Sequence, residues 1–301
     1  MRNVLPTAQL YGLPRALGAA MTQRPDLYVT IDHASNFSAD FAPGTGAFFD
    51  GETTVTTLSF RAPLASGIQQ MELGVELPYV VHAGGFLDGF LESFHDLTGL
   101  PDGGRSEAPK NQLDYLLRHQ GETYAQLDDR RRHVGDLRGW FGYQLHRSAI
   151  RTLGIRAQLK LPTGRVRDLS GSEGTDVALW LEYADRSLLD RYGLSFSLMG
   201  GAVHLGAGEL APDAQKDLAV VGHLGLQYAL SPRIHLHAQL DGHSQLLDTG
   251  VPQAADGAIQ GTLGGRWLIS PRYWLSVGVI EDLRAQTASD VVFQLAMGTH
   301  F

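Results

Sequence analysis

From Leu153 to Leu161 every second residue is apolar. Leu153, Ile155, Ala157, Leu159 and Leu161 share one side, and Arg156, Gln158 and Lys160 share the other. A period of two over about ten residues is a β-strand with two unlike faces. The same pattern recurs along most of the chain. Leu137, Gly139, Phe141, Tyr143 and Leu145 form one such face. Val177, Leu179, Leu181 and Tyr183 oppose Asp176, Trp180 and Glu182. Ile234, Leu236, Ala238 and Leu240 oppose His235, His237, Gln239, Asp241 and His243. The final run, Val291 to Phe301, alternates to its last residue. Strands of this length and number must bury or cover one face, and the question is which solvent meets the apolar one.

In a soluble sandwich the apolar faces would point inward and the polar faces would meet water. Three features favour the inverted arrangement. The runs are longer than the five or six residues usual for sandwich strands. The pattern continues with almost no helix. The polar faces mix charges with many of the 36 glycines, which suits a crowded lumen better than an open surface. Connections also alternate in kind. "SPR" at 231–233 and 270–272 makes tight turns, whereas 162–174, 206–217 and 248–257 are long and polar. Short turns at one end and long loops at the other belong to transmembrane barrels. Tyr28, Tyr79, Trp140, Tyr183, Tyr192, Tyr228, Trp267, Tyr273 and Trp274 fall near strand ends, where aromatic rings suit the two membrane–water interfaces.

These patterns predict a closed antiparallel transmembrane barrel spanning 1–301 as one domain. A sheet in lipid cannot keep open edges, so the last strand must pair with the first. Thirteen runs are countable, but single-chain barrels carry even numbers. Twelve strands are expected, with fourteen as the alternative; the runs at 26–36 and 112–127 are the candidates to discard. Residues 1–25 stand apart as an N-terminal segment. The opening "MRNVLPTAQLYGLPRALGAA" lacks the basic start and long apolar core of a signal peptide, so the sequence is expected to begin at its mature part. Net charge is −8, which argues against nucleic-acid partners. Cysteine is absent, which removes disulfide frameworks and thiolate metal sites.

Residues 84–105 break the pattern. Phe86, Phe90, Phe94 and Leu97 recur at helical spacing, with Asp88, Glu92, His95 and Asp96 opposite. The acidic face disfavours anionic lipid heads, so 84–100 is expected to plug the lumen or cap a mouth. Its acids would then pair with wall cations such as Arg156 and Lys160, and Glu72 and Glu76 would also face the lumen. His95 is the one candidate for catalysis, as a general base acting on lipid. Ser93 projects away from it, and no nucleophile elbow, P-loop, dinucleotide glycine set or HExxH occurs. His235, His237, Asp241 and His243 on one strand face, with His223 beside them, form a weak metal candidate, because i and i+2 side chains stand roughly 6.5–7 Å apart. Arg130, Arg131 and Arg132 form a basic run able to contact lipopolysaccharide phosphates. No cofactor is expected.

The block "ELGVELPYVVHAGGFLDGFLESFHDLTGLPDGGR" followed by "PKNQLDY", residues 72–115, resembles a family of proteobacterial outer-membrane proteins known only as a domain of unknown function. "LKLPTG" and "DLSGSEGTDVAL", within 159–179, are similar to a loop and strand shared by that family and by barrels related to aromatic-hydrocarbon and fatty-acid uptake. The resemblance implies an outer-membrane barrel and carries no established activity. The terminal aromatic likewise resembles the signal by which outer-membrane barrels are read, so Phe301 is expected to engage the assembly machinery. Expected function is therefore a partly plugged channel or passive transporter for small, including hydrophobic, molecules. Membrane-embedded lipid-modifying enzymes and structural or adhesion barrels are the alternatives. Outer-membrane lipids and lipopolysaccharide are the expected surroundings.

Overall fold

A computed structural model describes residues 3–65, 68–87, 89, 109–284 and 287–301. Among them are fifteen strands: β1 Asp26–Ala42, β2 Thr45–Ala65, β3 Ile68–Ala83, β4 Asp114–His119, β5 Glu122–Leu127, β6 Arg131–Val134, β7 Leu137–Arg147, β8 Arg151–Leu161, β9 Asp176–Asp185, β10 Leu194–His204, β11 Leu218–Ala229, β12 Ile234–His243, β13 Ala258–Leu268, β14 Tyr273–Asp282 and β15 Val291–His300. Twelve of them close a barrel in the order β1-β2-β3-β7-β8-β9-β10-β11-β12-β13-β14-β15. Every wall pairing is antiparallel. The last strand pairs with the first, from Asp26 opposite His300 to Ser35 opposite Val291. Around the twelve-stranded wall, closure removes the sheet edges that lipid would otherwise meet.

The run at 26–36 is thus a genuine wall strand. The run at 112–127 is the one outside the barrel count: it folds as the β4–β5 hairpin, which pairs only with the projecting part of β2. Among the described residues no helix is long and apolar enough to cross a membrane. A short α-helix, α1 at Leu189–Tyr192, turns the chain between β9 and β10.

The alternation sorts as expected. Leu159, Leu161, Val177, Leu179, Leu181, Leu236, Leu295 and Met297 stand on the outer surface, whereas Arg156, Lys160, Asp176 and Trp180 are buried inside. Connections of up to eight residues join β7–β8, β9–β10, β11–β12 and β13–β14 at one rim, beside Asp26 and His300. The longer loops 162–175, 205–217, 244–257 and 283–290 crowd the opposite rim. An aromatic girdle of Tyr192, Phe196, Tyr228, Trp267 and Tyr273 lines the short-turn rim on the outside. Tyr28, Trp140 and Trp274 do not join it. They lie on the inward parity and are almost fully buried in the lumen. Glycines on the adjoining strands make the room. A Cβ at Gly74 would collide with Trp140, and one at Gly298 with Trp274 and Tyr28.

Leu159 stands in this outer apolar band, with Gly139 and Val177 opposite it on β7 and β9. Leu159→Arg should be destabilising by up to about 2–4 kcal/mol, the range for a cation at the bilayer midplane, with less toward an interface. Urea unfolding from lipid vesicles measures it; an unchanged midpoint would contradict a lipid-facing β8.

Candidate functional site

The lumen is filled by the N-terminal segment. Asn3 donates to Thr287 O at 2.9 Å and touches His243 at 3.1 Å, at the long-loop rim. The chain then descends past Asp176, Glu182 and Glu72 to Asp26 at the short-turn rim. Apart from one 3-10 turn at Ala8–Leu10 the strap 3–25 is irregular, so its backbone groups need partners from elsewhere. The barrel wall supplies them with side chains. Carboxylates take N–H groups: Gly12 N to Asp176 at 2.7 Å, Leu17 N to Glu182 at 3.1 Å and Thr22 N to Glu72 at 2.7 Å. Cations and amides give to C=O groups. Lys160 Nζ donates to Leu10 O at 3.1 Å, Gln158 to Gly12 O at 2.8 Å and Gln144 to Ala19 O at 3.1 Å. Arg138 donates to Gln9 O and Tyr11 O.

The wall charges also satisfy one another. Arg156 bridges Glu72 at 2.8 Å and Glu182 at 2.9 Å, with all three side chains buried. Lys160 lies between Asp136 at 2.7 Å and Asp176 at 3.2 Å. Arg15, on the strap itself, pairs with Glu76. Buried charges demand such compensation, because an unpaired one is expelled or neutralised. The acids that serve Arg156 and Lys160 come from the wall. Asp88, Glu92, His95 and Asp96 lie outside the described residues. What is described of that segment leaves the barrel over its outer face. Phe86 N and Leu87 N donate to Glu52 at 2.7 and 2.5 Å; Glu52 also pairs with His33 at 2.9 Å, and Leu87 packs on Val291 and Phe293. The segment found in the lumen is 3–25.

Toward the long-loop rim the lumen becomes apolar. Leu5, Leu10, Tyr11 and Leu13 of the strap join Leu169, Leu205, Leu210, Leu246 and Leu247 from the loops in one buried cluster. Phe49, Tyr115, Leu117 and Leu127 bring the β4–β5 hairpin into it. Burial pushes the Tyr115 phenol up, and its hydroxyl is held by Asn36 at 2.9 Å and Thr53 at 3.1 Å. Each buried Leu contributes about 1.5–3 kcal/mol, so this cap is a firm closure.

Toward the short-turn rim the lumen is hollow. A cavity of about 450 Å³ lies beside the strap, lined by Arg15, Asp26, Tyr28, Arg61, Glu182, His237, Arg266 and Trp274 among others. The family model described as "Protein of unknown function (DUF3187)" matches residues 1–301. The chain belongs to that DUF3187 family. No curated protein matches it. The fold is similar to that of an outer-membrane channel from Pseudomonas putida F1, at 14% identity and TM-score 0.61, over 96% of this chain and 100% of that one. It is also similar to the NanC porin, at 9% identity and TM-score 0.51, over 92% and 98%. Such identities establish the barrel fold shared with the DUF3187 chain.

The strand histidines do not gather. His223 Nδ1 meets Asp241 at 2.9 Å and its Nε2 meets Ser197 at 3.1 Å. His235 is held by Gln227 at 2.6 Å, and His243 faces Asn3. His237 lines the cavity. Among the described residues no three His, Cys, Asp or Glu side chains approach at metal-binding spacing. Arg131 and Arg132 fall on β6, beside the upper part of β3, and Arg130 and Arg132 are exposed there.

The strap escaped prediction because its order is borrowed. Neither period appears in "NVLPTAQLYGLPRALGAAMTQRPD". Two prolines and four alanines and glycines in the second half, 14–25, are the only local hints of an extended, slender segment.

Proposed function

We propose that this protein is a passive passage for small molecules across the bacterial outer membrane, with residues 3–25 as its internal gate. The cavity carries the reading: water-accessible space enters the lumen from the short-turn rim and stops at the strap and the apolar cap. By the rule for outer-membrane barrels the short-turn rim faces the periplasm and the long loops face outward. Solved barrels of like fold bear the names channel and porin, which favours transport over lipid catalysis. The test is conductance in planar bilayers together with solute entry into proteoliposomes, for the full chain and for chains shortened in the strap. If neither preparation passes ions or solutes, the passage reading falls and a structural barrel remains.

In the same reading Arg130, Arg131 and Arg132 face lipopolysaccharide phosphates from the outer side. Phe301 serves the assembly machinery. Its ring is 66% exposed, and its backbone N–H alone ties it to Pro25 O at 3.0 Å. A side chain so lightly packed adds little to the finished fold. Removing Phe301 should therefore slow insertion in cells while leaving the urea midpoint of folded protein unchanged. Pulse-labelled assembly assays show this; identical kinetics for both chains would exclude the role.

A further inference from the structure

The charges around the cavity are unevenly committed. Its carboxylates are spoken for: Asp26 accepts from Arg61 Nε at 3.0 Å and Nη2 at 2.9 Å and lies 3.2 Å from His300, and Glu182 holds Arg156, Leu17 N and Trp180 Nε1. Arg15 is paired with Glu76. Arg266 is different. It points inward from β13 with its guanidinium 4.5 Å from the Trp274 ring centroid, and among the described residues it has no hydrogen-bond or ion-pair partner. Its charged neighbours are Arg61, already held by Asp26, and Asp26 itself. A second cation, Arg186, stands at the mouth.

The stack on Trp274 is built. Trp274 lies in the space left by Gly298 and against Tyr28, whose ring is 5.9 Å away. Tyr28 is fixed in turn by the Arg15 guanidinium, which donates to its hydroxyl at 2.7 Å. A guanidinium laid on an aromatic face keeps its N–H edge free, and that edge matches a carboxylate with two parallel hydrogen bonds. Electrostatic attraction is strong in a narrow, partly enclosed space. Apart from Arg186 at the mouth, Arg266 is the one uncommitted fork among the described cavity residues, and it suits one negative charge. A dianion would also meet the Asp26 and Glu182 carboxylates. The volume admits a ligand of about ten to twenty heavy atoms.

We infer that the short-turn-side cavity binds small organic monocarboxylates, with the carboxylate on the outward edge of Arg266 and the apolar part toward Tyr28 and Trp274. This rests on the passage reading for its purpose, but not for its test, which is equilibrium binding rather than flux.

The full chain in detergent is titrated calorimetrically with benzoate, with its neutral isostere benzamide, and with inorganic phosphate. Saturable benzoate binding is expected, with benzamide at least about tenfold weaker because it makes no charge-assisted pair, and phosphate at least about tenfold weaker because it has no apolar part and its second charge meets Asp26 and Glu182. Arg266→Gln should weaken benzoate by a similar factor and leave benzamide unchanged. Arg266→Lys keeps the charge without the fork, so it should fall between the two; it also serves if the glutamine variant does not fold, as judged by heat-modifiable migration. Equal binding of benzoate and benzamide, phosphate binding as tight as benzoate, indifference to both Arg266 variants, or no saturable heat would each overturn the site. If the full chain conducts but binds no benzoate, the site alone is lost. If it binds benzoate but no strap-shortened chain conducts, the passage reading is lost and the site remains.

Discussion

Deleting residues 3–13 should turn a nearly silent barrel into a conducting one. These residues supply Leu5, Leu10, Tyr11 and Leu13 to the apolar cap and occupy the upper lumen, while the lower strap stays latched by Glu182 and Glu72. Without them the roughly 450 Å³ cavity would extend upward past Trp140 and Trp180 toward the loops. Unit conductance should rise by about tenfold or more, because a barrel of this size is blocked mainly by what fills it. Loops 205–217 and 244–257 lose their apolar partner, so openings should also become noisy. The cost is in stability: four buried side chains at roughly 2 kcal/mol each are withdrawn. The wall ladder is untouched, so the shortened chain should still migrate as a folded barrel on gels. A folded, shortened chain with the conductance of the parent would show that the strap is not the gate.

The wall was legible because a transmembrane strand repeats one local rule. Leu153 to Leu161 needs only parity to say which side meets lipid, and closure follows once no edge can face lipid. The expected count of twelve holds, and of the thirteen countable runs only 112–127 falls outside the wall. The 112–127 run has strand chemistry but sits beyond the barrel rim, and periodicity carries no information about height along the axis. Nearness to strand ends misplaced three rings. Tyr28, Trp140 and Trp274 stand near strand ends, but each falls on the inward side, opposite or beside glycines that only the register identifies. The charge partners were hidden for a similar reason. Lys160 and Asp176 are cross-strand neighbours once β8 and β9 are in register, yet a 14-residue loop separates those strands in sequence. The strap was least legible. Its contacts reach Asp176 from Gly12, 164 residues apart, and no local pattern encodes a backbone held by someone else's side chains.

Arg156→Met should be among the most destabilising single changes in the chain. Arg156 is the cation between Glu72 and Glu182, and all three side chains are buried. Those acids in turn hold the strap through Thr22 N and Leu17 N, and they hold Trp140 and Trp180 through their indole N–H groups. Removing the cation leaves two carboxylates in a crowded interior, and breaking a buried pair costs about 3–5 kcal/mol. The loss should spread along the strap. Hydrogen exchange at Leu17, Met21 and Thr22 should accelerate before the wall amides respond, because the strap depends on side chains while the wall depends on its own ladder. The triple change Glu72→Gln, Arg156→Met and Glu182→Gln separates charge from shape. Both amides still accept from Thr22 N and Leu17 N, and no uncompensated charge remains, so the triple variant should recover most of the loss. Urea midpoints and exchange rates for the two variants decide the matter. A triple variant as unstable as the single one would mean that Arg156 acts through packing and its bond toward Ala20 O rather than through its charge.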